Sequence, residues 1–247
     1  MLFRSHELNY SALAITDECS MAGVVRAHDA AKEHGFKLII GSEFRTTDDM
    51  HLVLLAPSQK AYAQICKLIT LARQKSPKGS YQLSRAQCEN ELTECLALWI
   101  PSTQPLPSQA GWLRDRFPER CWIAVELHRG ADDARHLARL THLGKLMGIP
   151  LVAAGNVHMH IRERRALQDT VTAIRHGCTI SQAGYKLFQN GERHLRSYDE
   201  LQAVYPKKLL SATLEIAERC EFSLSSLRYT YRSEEHTSEL QSQNRIS

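Results

Sequence analysis

Short apolar runs recur through the first 160 residues, each bounded by glycine, proline or polar residues. They fall at 12–16 (ALAIT), 37–41 (KLIIG), 51–56 (HLVLLA), 95–100 (CLALWI), 121–127 (CWIAVEL) and 150–154 (PLVAA). Runs this brief and this continuous predict strands buried on both faces. Between several of them the apolar spacing becomes that of a helix. Residues 21–34 (MAGVVRAHDAAKEH) stop at Gly35. Residues 59–75 carry Tyr62, Ile65, Leu68, Ile69 and Leu71 ahead of Pro77 and Gly79. Residues 131–147 carry Leu137, Leu140, Leu143 and Leu146 and stop at Gly148. Repeated strand-then-helix units predict an α/β fold with a parallel sheet, open or closed into a barrel.

Past residue 160 the pattern is helical only. IRERRALQDTVTAIRHG reads as a helix ending at Gly177. In SYDELQAVYP, Ser197 can cap a helix, with Glu200 three residues on. Pro206 then opens PKKLLSATLEIAERC, where Leu209, Leu210, Leu214 and Ile216 mark a buried face. The pattern divides the chain into an α/β unit at 1–160, a helical segment at 161–231 and a tail at 232–247. The tail, RSEEHTSELQSQNRIS, has two apolar residues, Leu240 and Ile246. So little apolar area predicts disorder. The stretch also resembles the translation of a sequencing adapter, which would make it artefactual and end the gene sequence near Tyr231.

Length allows one large domain or two small ones. No apolar run approaches a membrane span, and MLFRSHELNY lacks a signal peptide's apolar core, so a cytoplasmic protein is expected. Seven scattered cysteines with no C-x-x-C predict reduced thiols, not a disulfide or zinc-ribbon framework. A net charge of +4 permits contact with nucleic acid without requiring it. Walker A, G-x-G-x-x-G and G-x-S-x-G patterns are absent.

The chemistry gathers after the strands. ALAIT leads to Asp17 and Glu18, KLII to Ser42 and Glu43, AVEL to His128, and PLVAAG to Asn156, His158 and His160. In a parallel barrel these strand ends share one mouth. Carboxylates and imidazoles together suit zinc, manganese or iron. Each residue has a plainer reading beside this one. Asp17 can cap the helix at 21–34, and Glu18 can be a solvated loop carboxylate. His51 opens its strand, which places it at the end away from the mouth or at the edge. His28, His34, His136 and His142 lie on helices as surface residues. Arg162, Arg164 and Arg165 can grip phosphate or form a charged helix face.

ALAITDECSMAGVVRAHDAAKEHGFKLIIGSEF, VAAGNVHMHIRERRALQDT, ERHLRS and EIAERCEFSLSSLRYTY closely resemble the N-terminal region of bacterial error-prone DNA polymerases, in the family of the DNA polymerase III α subunit. The resemblance spans roughly residues 7 to 231 and marks a PHP domain. It implies a distorted seven-stranded (β/α) barrel lacking its first strand here, followed by a helical lead-in toward the polymerase palm.

That family's barrels can hold a cluster of metal ions. By resemblance, Glu43 matches the glutamate of a G-x-E turn, His128 a later histidine, and His158 the histidine of a D-x-H pair. Asp17 and Glu18 stand in place of a TDH motif, Asn156 stands in place of the D-x-H aspartate, and the H-x-H pair is missing. The resemblance therefore implies a degraded zinc or manganese site at Glu43, His128 and His158. It places the polymerase carboxylates, and the magnesium they bind, beyond this chain, so no catalytic residue is assigned within it. For the parent protein it implies damage-induced lesion-bypass synthesis and DNA repair, with DNA, deoxynucleoside triphosphates and accessory proteins as partners. The alternative from another class is a free-standing, metal-dependent PHP phosphoesterase.

Overall fold

The structure, a computed structural model, describes residues 2–89 and 92–227. In chain order the elements begin with α1 (Leu2–Glu7), β1 (Ala12–Ile15), α2 (Val24–Glu33), β2 (Lys37–Arg45), β3 (His51–Leu55), α3 (Gln59–Gln74) and α4 (Arg85–Glu89). They continue with β4 (Leu96–Ile100), α5 (Pro107–Arg116), β5 (Cys121–Glu126), α6 (Asp133–Met147) and β6 (Leu151–Ala154). Helices α7 (Arg165–Arg175), α8 (Ile180–Ala183), α9 (Tyr198–Gln202) and α10 (Lys207–Arg219) follow. The tail at 232–247 lies outside the described residues.

The six strands form one curled sheet in chain order, β1 to β6, with β1 and β6 as its edges. This is the expected barrel short of a strand, open as a half-barrel. One expectation fails. The sheet is not wholly parallel: β3 runs antiparallel to both β2 and β4, while β1–β2, β4–β5 and β5–β6 are parallel. The reason lies in the 46–50 loop. A parallel return needs a crossover of a dozen residues or more, and five residues can close only a hairpin. Thr46 ties the loop shut. Its N–H donates to the Met50 carbonyl at 2.9 Å, and the Met50 N–H donates to its hydroxyl at 2.9 Å. Asp49 takes the left-handed conformation the turn needs (φ 59°).

Strand alternation sends side chains into two cores. Ile40, Phe44, Leu52, Leu54, Ala97, Trp99, Ile123 and Val125 pack on one face with Ile65 and Leu68 of α3, Leu113 of α5 and Leu140 of α6. Ile39, Val53, Leu55, Leu96, Trp122, Ala124 and Val152 pack on the other, where Ile216 of α10 and Cys220 cover them. Both faces are thus buried, which is why the strands read as unbroken apolar runs. Burying a Phe, Leu or Ile side chain contributes about 1.5–3 kcal/mol. That exceeds the ~1 kcal/mol span of strand propensities, so packing sets the sheet.

The helices follow the spacing reading closely, with differences at their edges. α3 is capped by Ser58, whose hydroxyl accepts from the Ala61 N–H. α6 stops at Gly148 in the left-handed conformation. Ser197 and Glu200 form the capping box at α9. α2 begins at Val24, and Gly23 caps it with no side-chain bond, so Asp17 does not cap it. On α10, Leu209 and Ile216 are buried as expected, but Leu214 faces solvent. Helix α5 was not legible from the spacing. Its segment carries only Trp112 and Leu113 as large apolar residues.

Two residues bolt the later helices to the sheet. Arg196, 2% exposed, donates to the Leu127 carbonyl at 3.1 Å. The Tyr205 hydroxyl donates to the Ala154 carbonyl at 2.8 Å and accepts from the Leu127 N–H at 2.9 Å. All seven cysteines are free thiols. Burial pushes Cys88 and Cys95 up to about 12, and Cys121 and Cys220 to about 11. Among the described residues, no helix is long and apolar enough to cross a membrane.

Gly41 sets how closely β2 approaches β3. A Cβ there would lie 2.5 Å from the Leu54 carbonyl oxygen and 2.8 Å from a Leu55 methyl carbon. Neither the backbone nor a packed core leucine can retreat freely. Gly41→Ala is expected to destabilise the chain by about 1–3 kcal/mol. A urea melt should show a lower midpoint at an unchanged slope.

Candidate functional site

The reversal of β3 moves a residue into the mouth. In an antiparallel strand the first residue lies at the same end as the last residue of its neighbour. His51, which its position in the sequence places at the far end, therefore sits at the end of β2 that carries Glu43. Arg45 is its register partner, and Glu43 is the diagonal neighbour on the same face. His51 Nε2 and Glu43 Oε1 are 2.5 Å apart. Glu43 does not follow its strand, as expected from the run KLIIG, but lies within it. Burial drives its carboxyl pKa up, yet the hydrogen bond and charge of His51 outweigh this. With smaller help from Arg45 and His158, they hold it below the usual carboxylate range.

Beside this pair lies a chain of polar contacts built on Asn156, Glu126 and Arg193. Asn156 leaves β6 in the left-handed conformation (φ 43°). Its Nδ2 donates to Glu126 Oε2 at 3.3 Å, which leaves its Oδ1 to accept from His158 Nε2 at 3.0 Å. Glu126 is the last residue of β5 and is 13% exposed; Oε2 also accepts from Arg193 Nη1 at 3.2 Å. Its other oxygen, Oε1, is buried with no partner among the described residues. The Arg193 guanidinium lies 4.4 Å from the centre of the Phe188 ring, which also crowds the His158 ring at 5.0 Å. Backbone bonds fix this position. The N–H groups of His158 and Met159 both donate to the Arg193 carbonyl, at 2.9 and 3.0 Å.

His128 donates from Nε2 to the Gly155 carbonyl at 2.9 Å, so its ring is committed to the β6 end. Burial, then the positive charge of Arg193, lower its pKa, and the same two causes lower that of His158. Asp17 is exposed. Its backbone carbonyl, not its side chain, accepts from the Ser42 hydroxyl at 2.8 Å. Glu18 pairs instead with the Tyr81 hydroxyl at 2.9 Å and with Arg175 at 3.4 Å. Of the arginines, Arg162 pairs with Glu192 at 2.6 Å, and Arg165 pairs with Asp169 at 3.5 Å and donates to the Phe188 carbonyl at 3.2 Å. Arg164 is exposed.

The mouth thus gathers Glu43, His128, Asn156 and His158, and turns Asp17 and Glu18 to other uses. Sequence reading missed His51, Glu126 and Arg193. Glu126 had a signal: a carboxylate closing an otherwise apolar strand run. Arg193 lies in ERHLRS, and no local pattern there marks it as a partner of Glu126.

An α/β half-barrel with a polar mouth at its strand ends is the arrangement at hand, and residues 1–100 match the family model of the PHP domain. Nearly the whole chain is similar to curated error-prone DNA polymerases. It is 54% identical to that of Dechloromonas aromatica over 90% of this chain and 22% of the relative. It is 54% identical to that of Methylococcus capsulatus and 52% to that of Pseudomonas aeruginosa, each over 92% of this chain and 22% of the relative. The chain spans about a fifth of the length of these relatives, 22% in each case. A solved structure of a candidate metal-dependent phosphoesterase from Bifidobacterium adolescentis covers 62% of this chain and 79% of its own, at 11% identity and a TM-score of 0.46.

The residues present do not fit the metal cluster that a PHP domain implies. Among the described residues, no three His, Cys, Asp or Glu side chains are grouped to hold an ion. Glu43 and His51 are bonded to each other, His128 to a carbonyl, and His158 to Asn156.

Two expected outcomes follow from this geometry. With His51→Ala, only burial and weaker charges act on Glu43, so its carboxyl pKa should rise; a carbon-detected NMR titration reads this directly. The second concerns His128. Its folded pKa lies below the unfolded value of about 6.5, so the unfolded state binds more protons between the two. Stability should be full above about pH 6.5 and decline as pH falls toward the folded value. His128→Gln should flatten that decline in denaturant melts run across pH.

Proposed function

We propose that this chain is the PHP-bearing region of an error-prone DNA polymerase and serves there as a structural scaffold. The observation that carries the reading is the extent of the similarity. Identity above 50% covers 90% or more of the chain, so it takes in the helices after the sheet as well as the PHP match. A free-standing phosphoesterase would share the barrel but has no reason to share those helices.

On this reading residues 1–160 are the barrel unit and 161–231 the lead-in toward the palm. Arg196 and Tyr205 hold the lead-in rigidly against the strand ends, which suits a part that must transmit position. The parent protein would add deoxynucleotides to a primed template during lesion bypass and repair in the cytoplasm, with magnesium held by carboxylates outside this chain. Accessory proteins would be its partners. Arg164, exposed beside the paired Arg162 and Arg165, is the arginine of that cluster suited to DNA phosphate. Zinc or manganese would bind weakly at Glu43, His128 and His158, because each of these donors is already engaged.

The purified chain should not extend a primed template with magnesium, and should not hydrolyse p-nitrophenyl phosphate with manganese or zinc. Template-directed incorporation would overturn the assignment of the polymerase centre to residues outside this chain. Sustained phosphate release, lost in His158→Ala, would favour the phosphoesterase instead.

A further inference from the structure

The geometry points to Arg193 as the resident cation of the mouth: its guanidinium neutralises Glu126 in the position a divalent ion would otherwise take. This holds independently of whether the chain serves a polymerase. Four observations converge on it. Glu126 is a carboxylate at a strand end, 13% exposed, and a largely buried carboxylate favours a positive partner. Arg193 pairs with it at 3.2 Å and is itself only 18% exposed. Phe188 backs the guanidinium at 4.4 Å and screens it from water. The backbone bonds to His158 and Met159 hold residue 193 in register with the β6 end.

Asn156 completes the arrangement. Its amide bridges Glu126 and His158 with no charge of its own. An aspartate there would face Glu126 at about the 3.3 Å of the present contact, and two carboxylates so close need more than one arginine between them. The asparagine and the arginine therefore belong together. One removes a negative charge, the other supplies a positive one, and the mouth is balanced by side chains alone. Glu126 Oε1, buried and unpartnered, marks where a cation could still be seated once the guanidinium is withdrawn.

The test measures zinc and manganese affinity of the full chain by chelator competition, in the wild type and in variants at position 193. Arg193→Met should bind either ion roughly tenfold tighter or more, the scale set by removing one positive charge at close range. Adding Glu126→Gln to that variant should abolish the gain, and Arg193→Lys, which keeps the charge, should match the wild type. Tight binding of two or more ions by the wild type would overturn the proposal, as would a folded Arg193→Met with unchanged affinity. If Arg193→Met alone does not fold, the double variant Arg193→Met, Glu126→Gln decides. Recovery of a cooperative melt supports the pairing, because the stranded buried charge is gone, and continued unfolding overturns it. A primer-extension result leaves all of these outcomes untouched.

Discussion

Five residues between β2 and β3 leave the chain no length for a crossover, so β3 must run back along β2. That constraint governs the mouth. It brings the first residue of β3 to the end where the parallel strands finish, and there His51 meets Glu43 at 2.5 Å. It also leaves β4 pointing the same way as β2, so that β5 and β6 follow in parallel and deliver Glu126 and Asn156 to the same end. With a longer loop and a parallel β3, the histidine would sit at the opposite end of the sheet. Glu43 would then be a half-buried carboxylate without its main partner.

The mouth that results is built from paired groups. Glu43 has His51, Glu126 has Arg193, and His158 has Asn156. A metal centre works differently: it holds several unpaired donors and lets the ion satisfy them together. At Glu43, His128 and His158 each donor is satisfied by a neighbour, so an incoming ion must first break a hydrogen bond made in a low-dielectric pocket. On the proposed reading of the chain, the paired mouth suits a fold that serves by its shape. The helices after β6 share its core through Tyr205 and Leu209, so shape here includes the region that leads away from the sheet.

Much of this was legible from residue order alone, because the signals were local. Burial on both faces makes each strand an unbroken apolar run. Gly148 and the Ser197–Glu200 box state helix limits within four residues of themselves. What escaped depended on direction or distance. His51 opens its strand, but strand polarity is set by a loop and not by the strand's own pattern, so the end of the sheet it occupies is not written in the run itself. Arg193 and Glu126 are 67 residues apart, and neither carries a mark of the other. For Glu18 the sequence offers a ligand or a solvated loop carboxylate, and only the fold shows Tyr81 and Arg175 claiming it.

The cysteines give the chain a use of another kind. Cys19, Cys88, Cys95, Cys121 and Cys220 are buried, and burial raises the pKa of each thiol, so in the native state they stay protonated and sheltered from alkylating reagents. Cys66 on α3 and Cys178, just past α7, are half-exposed. The unaltered polypeptide therefore holds two half-exposed addresses for a fluorophore, one in the later helical segment and one on a helix flanking the sheet, where partial burial raises the Cys66 thiol as well. The other five act as timers that start only when their surroundings open. The order in which those five become modified would trace, thiol by thiol, how the two cores come apart.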